Sequence, residues 1–184
     1  IPVLTDEIYA RILYEGEHIS LATFPGMLDR TILLDGFSKT WAMTGWRLGF
    51  GVYPPELIPH VERLVSNSVS CTASFSQQAA IAALEGPQEP VDQMLDEFRR
   101  RRAVIIKGLN ELPGVRCLEP DGAFYAFPNI TGTGIPSKVL ADRLLQEAPV
   151  LARVAQGEHR GLRALQERHA GLGQRVDDFG VEIA

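Results

Sequence analysis

Two short sets of polar residues have types and spacing that could do chemistry. Asp6 and Tyr9 lie in Asp6-Glu7-Ile8-Tyr9, and Ser38, Lys39 and Arg47 lie in the stretch GFSKTWAMTGWRLG from Gly36 to Gly49. Lys39 is one of only three lysines, with Lys107 and Lys138, against fifteen arginines, and it sits among two tryptophans, a methionine and three glycines. Apolar surroundings and a nearby cation both disfavour an ammonium, so they hold an amine toward its neutral, nucleophilic form. A guanidinium binds phosphate bidentately better than a second lysine does. A carboxylate against a ring nitrogen keeps that nitrogen protonated and makes the ring an electron sink.

Amine, guanidinium and carboxylate together suit a ligand with a carbonyl, a phosphate and a basic nitrogen, and pyridoxal 5'-phosphate has all three. In that reading Lys39 condenses with the aldehyde, Arg47 binds the phosphate, Asp6 meets the pyridine nitrogen and Tyr9 hydrogen-bonds the ring hydroxyl oxygen. Gly45 and Gly49 allow a tight backbone path that returns Arg47 to the site. Each residue also has a plainer reading. Lys39 and Arg47 are then surface charges, Asp6 caps a helix over Ile8 to Leu13, and Tyr9 is a packing residue.

The elements that must position these residues follow from periodicity. Ile1 to Thr5 and Thr31 to Phe37 are short apolar runs, expected as strands buried on both faces of a parallel sheet, and Leu48 to Tyr53 reads as another. Asp6 then lies just past the first strand and Ser38-Lys39 just past the second, on the rim where open α/β sheets hold ligands. Pro54-Pro55 opens a helix from Glu56 to about Val69, and alanine-rich Ser76 to Leu84 is a second. Val91, Met94, Leu95, Phe98, Ile105, Leu109 and Leu112 recur at helical spacing and mark a long amphipathic helix that ends at Pro113-Gly114. Short strands follow at Val115 to Leu118 and Ala123 to Phe127, and Ser137 caps a last helix.

Asp6-Glu7-Ile8-Tyr9 followed by Ser38-Lys39-Thr40, Met43-Thr44-Gly45, Arg47 and Gly49 resembles the fold-type I, class I/II pyridoxal-phosphate aminotransferases. Within them it is similar to the aspartate and aromatic aminotransferase branch. The likeness continues through SFSQQAAIAAL (Ser74 to Leu84) and PDGAFYAFPNI (Pro120 to Ile130) to about Ala148. The resemblance implies an α/β fold: the C-terminal part of a large cofactor domain over 1–88, with a mostly parallel sheet, and a small α+β C-terminal domain over 89–148. It implies Lys39 as Schiff-base lysine and proton shuttle, Asp6 and Tyr9 on the cofactor ring, Arg47 on its phosphate, an amino acid and a 2-oxo acid as substrates, and a homodimer. Many members carry a phosphate-binding serine where this chain has Gly36; Ser38 is a second candidate for that contact.

Residues 149–184 depart from the family, which continues with a glycine-rich turn and an Arg-x-Ser-x-Ala pattern that grips the substrate carboxylate. Five arginines occur there, none in that setting, and no strand can be assigned; the expectation is an anomalous tail, out of register through a reading-frame shift. The chain opens Ile1-Pro2-Val3, without an initiator Met or a basic segment leading an apolar one, so it is expected to be a C-terminal piece of a longer protein. The alternatives to amino transfer are a lyase or decarboxylase on the same scaffold and a non-catalytic fragment.

Composition narrows the classes further. The 184 residues are 45% hydrophobic and 22% charged with a net charge of −5, which suits a folded domain and argues against nucleic-acid or anionic-membrane partners. No apolar run approaches the roughly 20 residues of a membrane span. Cys71 and Cys117 lack metal spacing and read as buried inert thiols in a reduced, cytoplasmic setting. His18, His60, His159 and His169 likewise lack metal spacing. Arg99 to Arg102, beside Asp96 and Glu97, reads as a solvated, salt-bridged helix face, and Gly132-Thr133-Gly134 as a turn.

Overall fold

The computed structural model describes residues 1–147, 153–154 and 179–182. The chain divides into a first unit, Ile1–Leu95, and a second beginning at Asp96. The first unit carries strands β1 (Val3–Asp6), β2 (Thr31–Gly36) and β3 (Gly49–Val52), then helices α1 (Ile58–Ser68) and α2 (Ser74–Glu85). Helix α3 (Glu89–Asn110) crosses the division, as the long apolar periodicity requires. Short strands β4 (Arg116–Cys117), β5 (Tyr125–Ala126) and β6 (Pro128–Asn129) and helix α4 (Ser137–Glu147) follow, with strands β7 (Arg153–Val154) and β8 (Phe179–Glu182). Ser137 is the first residue of α4, where the sequence suggested a cap.

The sheet of the first unit has the order β1-β2-β3. β1 and β2 are parallel, with Asp6 opposite Leu34, and β3 returns antiparallel with Gly49 opposite Gly36. The carboxyl ends of β1 and β2 therefore open on one rim, and the connection from Phe37 to Leu48 both leaves and re-enters the sheet there. The two glycines are needed at this crossing. A Cβ on Gly36 would meet Gly49 Cα at 2.9 Å and Leu48 O at 3.0 Å, and one on Gly49 would meet Asp35 O at 3.1 Å.

Burial on both sheet faces does not hold. Leu4 is 60% exposed and Phe50 and Val52 are each 49% exposed, while only Thr31 and Gly36 are buried in β2. A packed cluster forms instead under the connecting loop, where buried Phe37, Met43 and Ala80 meet Trp41, Leu48, Ala79 and Ala83. Alanines on one face of α2 let the loop approach closely, and burying Phe37 and Met43 contributes roughly 1.5–3 kcal/mol each.

The second unit is centred on Ile106, Leu109, Cys117, Phe124, Ala126 and Ile130, all buried. Asn110 closes the turn after α3. Its side-chain amide donates to Ile106 O and Cys117 O and its carbonyl accepts from Cys117 N–H, at 3.0, 2.9 and 2.9 Å. Gly114, at φ 77°, lies against Gly132, where a Cβ would come within 2.5 Å of backbone. Gly132 belongs to a single 3₁₀ turn, Thr131–Thr133, followed by left-handed Gly134. β4 pairs antiparallel with β6, and β8 lies between β5 and β7, antiparallel to both. β7 and β8 fall where the sequence offered no strand, because their pairing is non-local. The remainder of the expected anomalous tail, including His159, His169 and the helical segment suggested at Gly161 to His169, lies outside the described residues.

Candidate active site

β1 ends at Asp6, and the next residues form two successive turns, with Ala10 N–H donating to Glu7 O and Ile12 N–H to Tyr9 O. No helix follows, so Asp6 is not a helix cap; its carboxylate accepts locally from Ile8 N–H at 3.2 Å. The turns bring Tyr9 back over the rim. After β2, Phe37 N–H donates to Leu48 O and Met43 N–H to Phe37 O, which pinches the loop closed at its base. Buried Thr40, at 3% exposure, and the Phe37 and Met43 side chains hold it down.

Lys39 is half-buried, and its Nζ lies 5.8 Å from the centroid of the Tyr9 ring. These are the two predicted residues whose side chains the fold brings into contact. Ser38 is half-buried beside them. Arg47 reaches the same rim through the antiparallel return of β3, but its Nη1 donates to Thr44 O at 2.7 Å, within its own turn. Asp6 and Arg47 thus share the rim with Lys39 while their charged groups bond locally.

The tight path is not made where the sequence suggested. Gly45 has open space around its Cα and an ordinary φ. The left-handed positions are Ala42, at φ 54°, and Arg47, at φ 52°, two non-glycine residues flanking the loop's turn. Such backbone costs on the order of 1–3 kcal/mol per residue and persists where the surroundings over-determine it. The clustered core beneath the loop and the bond from Ser76 Oγ to Trp46 O, at 3.1 Å, supply that determination. A cleft of about 820 Å³ opens beside Arg47 and Trp46, walled by Cys71, Thr72, Phe75 and Ser76.

Sequence reasoning missed a second polar group under the rim. Glu7, 7% exposed, accepts from Ser20 Oγ at 2.7 Å and pairs with His18 Nε2 at 2.7 Å. Burial raises its carboxyl, but the bonds from His18 and Ser20 outweigh that and hold it below the ordinary range. Asp35 goes the other way, raised by burial against the lowering bond from Gly36 N–H, with the charges of Glu7 and Asp6 adding to the rise. The only signal in the sequence was the adjacency of Glu7 to Asp6; its partners lie too far along the chain for spacing to reveal.

Several plainer readings hold and two are corrected. On α3 Asp96 pairs with Arg99 and Glu97 with Arg100 and Arg101, whose hydrogen bonds hold Glu97 down to about 2. Arg102 departs from them: it is only 12% exposed and bonds Glu119 at 2.8 Å, beyond the helix. Cys117 is buried with its thiol pushed up by desolvation, against the lowering effect of a Phe127 backbone bond, whereas Cys71 is exposed, not buried. Among the described residues no His, Cys, Asp and Glu cluster could hold a metal, and no helix is long and apolar enough to cross a membrane.

The donor set fits a phosphorylated aldehyde of a nitrogen heterocycle. A half-buried amine over a phenol, a carboxylate at the adjacent strand end and a guanidinium at the same rim are the groups such a molecule needs. The Gly36 crossing has no room for the serine that the resemblance would set there, since its Cβ meets backbone on two sides.

The sequence profile of the aminotransferase class I and II family matches residues 1–163. An arginine–pyruvate transaminase of Pseudomonas aeruginosa is 41% identical over 170 residues, covering 92% of this chain and 43% of that protein. An aspartate aminotransferase of Musicola paradisiaca is 42% identical over 134 residues, covering 72% of this chain and 34% of that protein. Among solved structures, the aromatic aminotransferase of Pyrococcus horikoshii superposes with a TM-score of 0.83 at 35% identity, covering 100% of this chain and 46% of that one. The chain spans less than half the length of each of these relatives.

Proposed function

Because the chain belongs to the class I and II aminotransferase family, we propose that the protein containing it moves an amino group between an amino acid and a 2-oxo acid, with pyridoxal 5'-phosphate as cofactor. The observation that carries this reading is the half-buried Lys39 amine over the Tyr9 ring, at the carboxyl end of β2, on a rim shared with Asp6 and Arg47.

Lys39 would anchor the cofactor through its amine, Arg47 would bind its phosphate with Ser38 beside it, Asp6 would face its ring nitrogen and Tyr9 its ring oxygen. Bound there, the cofactor supplies an aldehyde carbon and an electron-withdrawing ring that stabilises negative charge on the α-carbon of an amino acid. Lys39 Nζ would also be the base that takes the α-proton of the amino acid and the acid that gives it back. Tyr9 limits where that amine can travel. Arg47 must turn its guanidinium away from Thr44 O to reach a phosphate, a local change on an exposed loop.

The exposed apolar residues Leu4, Phe50, Val52 and Phe75 support a further part of the reading. They are the faces that the remainder of a full-length protein and a second subunit would cover. A cytoplasmic setting goes with it, in keeping with two free cysteines.

The test is to mix the full chain with pyridoxal phosphate and record its absorption. A new band with a Lys39-specific adduct after borohydride reduction, both lost in Lys39→Ala, is expected. Folded protein that gives neither would overturn the reading. In the longer protein, release of a 2-oxo acid that depends on a second oxo acid is expected, whereas ammonia release without one would favour a lyase.

A further inference from the structure

The segments that follow β1 and β2 hold each other twice. Lys39 Nζ lies 5.8 Å from the Tyr9 ring centroid, and Arg11 Cζ lies 5.5 Å from the Trp41 ring centroid. Each segment contributes one ring and one cation, and each cation lies over the ring of the other segment. Arg11 is held from its far side as well. Its Nη1 donates to Gln88 Oε1 at 2.7 Å, and Gln88 Nε2 donates to Ala83 O at 3.0 Å and Gly86 O at 2.8 Å, at the end of α2.

Trp41 depends on its faces for its position. Among the described residues its buried indole N–H has no hydrogen-bond partner, and the ring rests against Phe37 at 5.1 Å and beneath Arg11. Lysine has a long, freely rotating stem, so a loop must fix its backbone if the amine is to keep one place. The loop from Phe37 to Leu48 has neither a long helix nor a ladder to do so, and it turns left-handed at Ala42, right after Trp41.

We infer that Arg11 and Trp41 are positioning residues, whose clasp, anchored to α2 through Gln88, keeps the Lys39 amine over Tyr9 and in reach of an incoming aldehyde. This rests on the reading of Lys39 as the amine that receives the aldehyde. Neither residue touches the reacting atoms.

Two probes on the full chain test it. The first is formaldehyde with dimethylamine borane, read by mass spectrometry as labelling of Lys39 relative to exposed Lys107 and Lys138, which serve as internal standards. The second is pyridoxal phosphate followed by borohydride. Here Nζ attacks the aldehyde carbon, water leaves, and hydride reduces the C=N bond to a stable secondary amine.

Arg11→Met and Trp41→Leu are expected to lower pyridoxal phosphate trapping at Lys39 about threefold and to raise its relative formaldehyde labelling about as much. Arg11→Lys and Trp41→Phe, which keep a cation and a ring, should restore both signals. The double variant should be no worse than either single one. Arg11 is exposed, so Arg11→Met keeps the test open should Trp41→Leu fail to fold by circular dichroism. Folded Arg11→Met protein with both Lys39 signals unchanged, or no rescue by Arg11→Lys, overturns the inference. Absence of Lys39-selective trapping in the parent chain would count against the functional reading instead, and the formaldehyde arm would still decide the clasp.

Discussion

The rim of the first unit and the hinge of strands in the second use their polar groups in opposite ways. Around Cys117, Asn110 satisfies three backbone groups at once, Arg102 closes on Glu119, and Gly114 lies against Gly132 with no space between. Around Lys39, the carboxylate of Asp6 and the guanidinium of Arg47 are exposed and, among the described residues, bond within their own turns, and Ala42 and Arg47 are held left-handed. One region commits its polar chemistry to holding the fold. The other keeps it facing outward, an arrangement expected of a site that binds something.

The sharpest way to break this contrast is at Gly114. Gly114→Ala adds a Cβ within 2.5 Å of backbone at a left-handed position, and the expected loss is about 3 kcal/mol in urea unfolding. A loss under 1 kcal/mol would show that this crossing is not a fixed point of the second unit. Next in size is Asn110→Ala, which strands Cys117 N–H and Cys117 O and should cost about 2 kcal/mol, measured the same way.

Glu7 sharpens the contrast from the other side, since it is a buried acid of the first unit that closes on partners, His18 and Ser20. Its folded-state carboxyl lies below the ordinary 4.5, so the unfolded chain takes up the proton first. The stabilisation is therefore complete above pH 4.5 and is lost as the pH falls through the lower folded-state value. Glu7→Gln should be less stable at pH 7 by about 1–2 kcal/mol and should flatten that part of the pH profile. An unchanged slope would remove Glu7 from the account. The smallest effect is expected at Arg47→Gly, which relieves a left-handed side chain and should raise stability by about 0.5–1 kcal/mol while weakening retention of pyridoxal phosphate. If stability fell instead, the strain attributed to this loop would be wrong.

Local pattern made the helices legible in advance, and the motif expected Lys39 and Tyr9 at one ligand without a contact between them. Periodicity is a property of neighbours along the chain, so α2 and α3 could be read from it to within a few residues. Three features could not. The pairing of Arg11 with Trp41, like that of Glu7 with His18 and Ser20, depends on which turns fold over the rim, and no spacing rule encodes it. The strained positions fell on Ala42 and Arg47 because packing against α2 overrode the usual preference for glycine, leaving Gly45 without that task. Arg102 and Cys71 were misread because a run of like residues and a lone thiol do not reveal where each side chain is directed.

The bare crossing of Gly36 and Gly49 also limits how this chain can vary. Since Gly49 Cα and Leu48 O fill the room that a side chain on Gly36 would need, and Asp35 O crowds one on Gly49, a methyl gained at either position must push apart the strands that set the reach of Arg47. The pair behaves as a locked hinge pin, and variants at either end should come to light through altered anion binding before they come to light through misfolding.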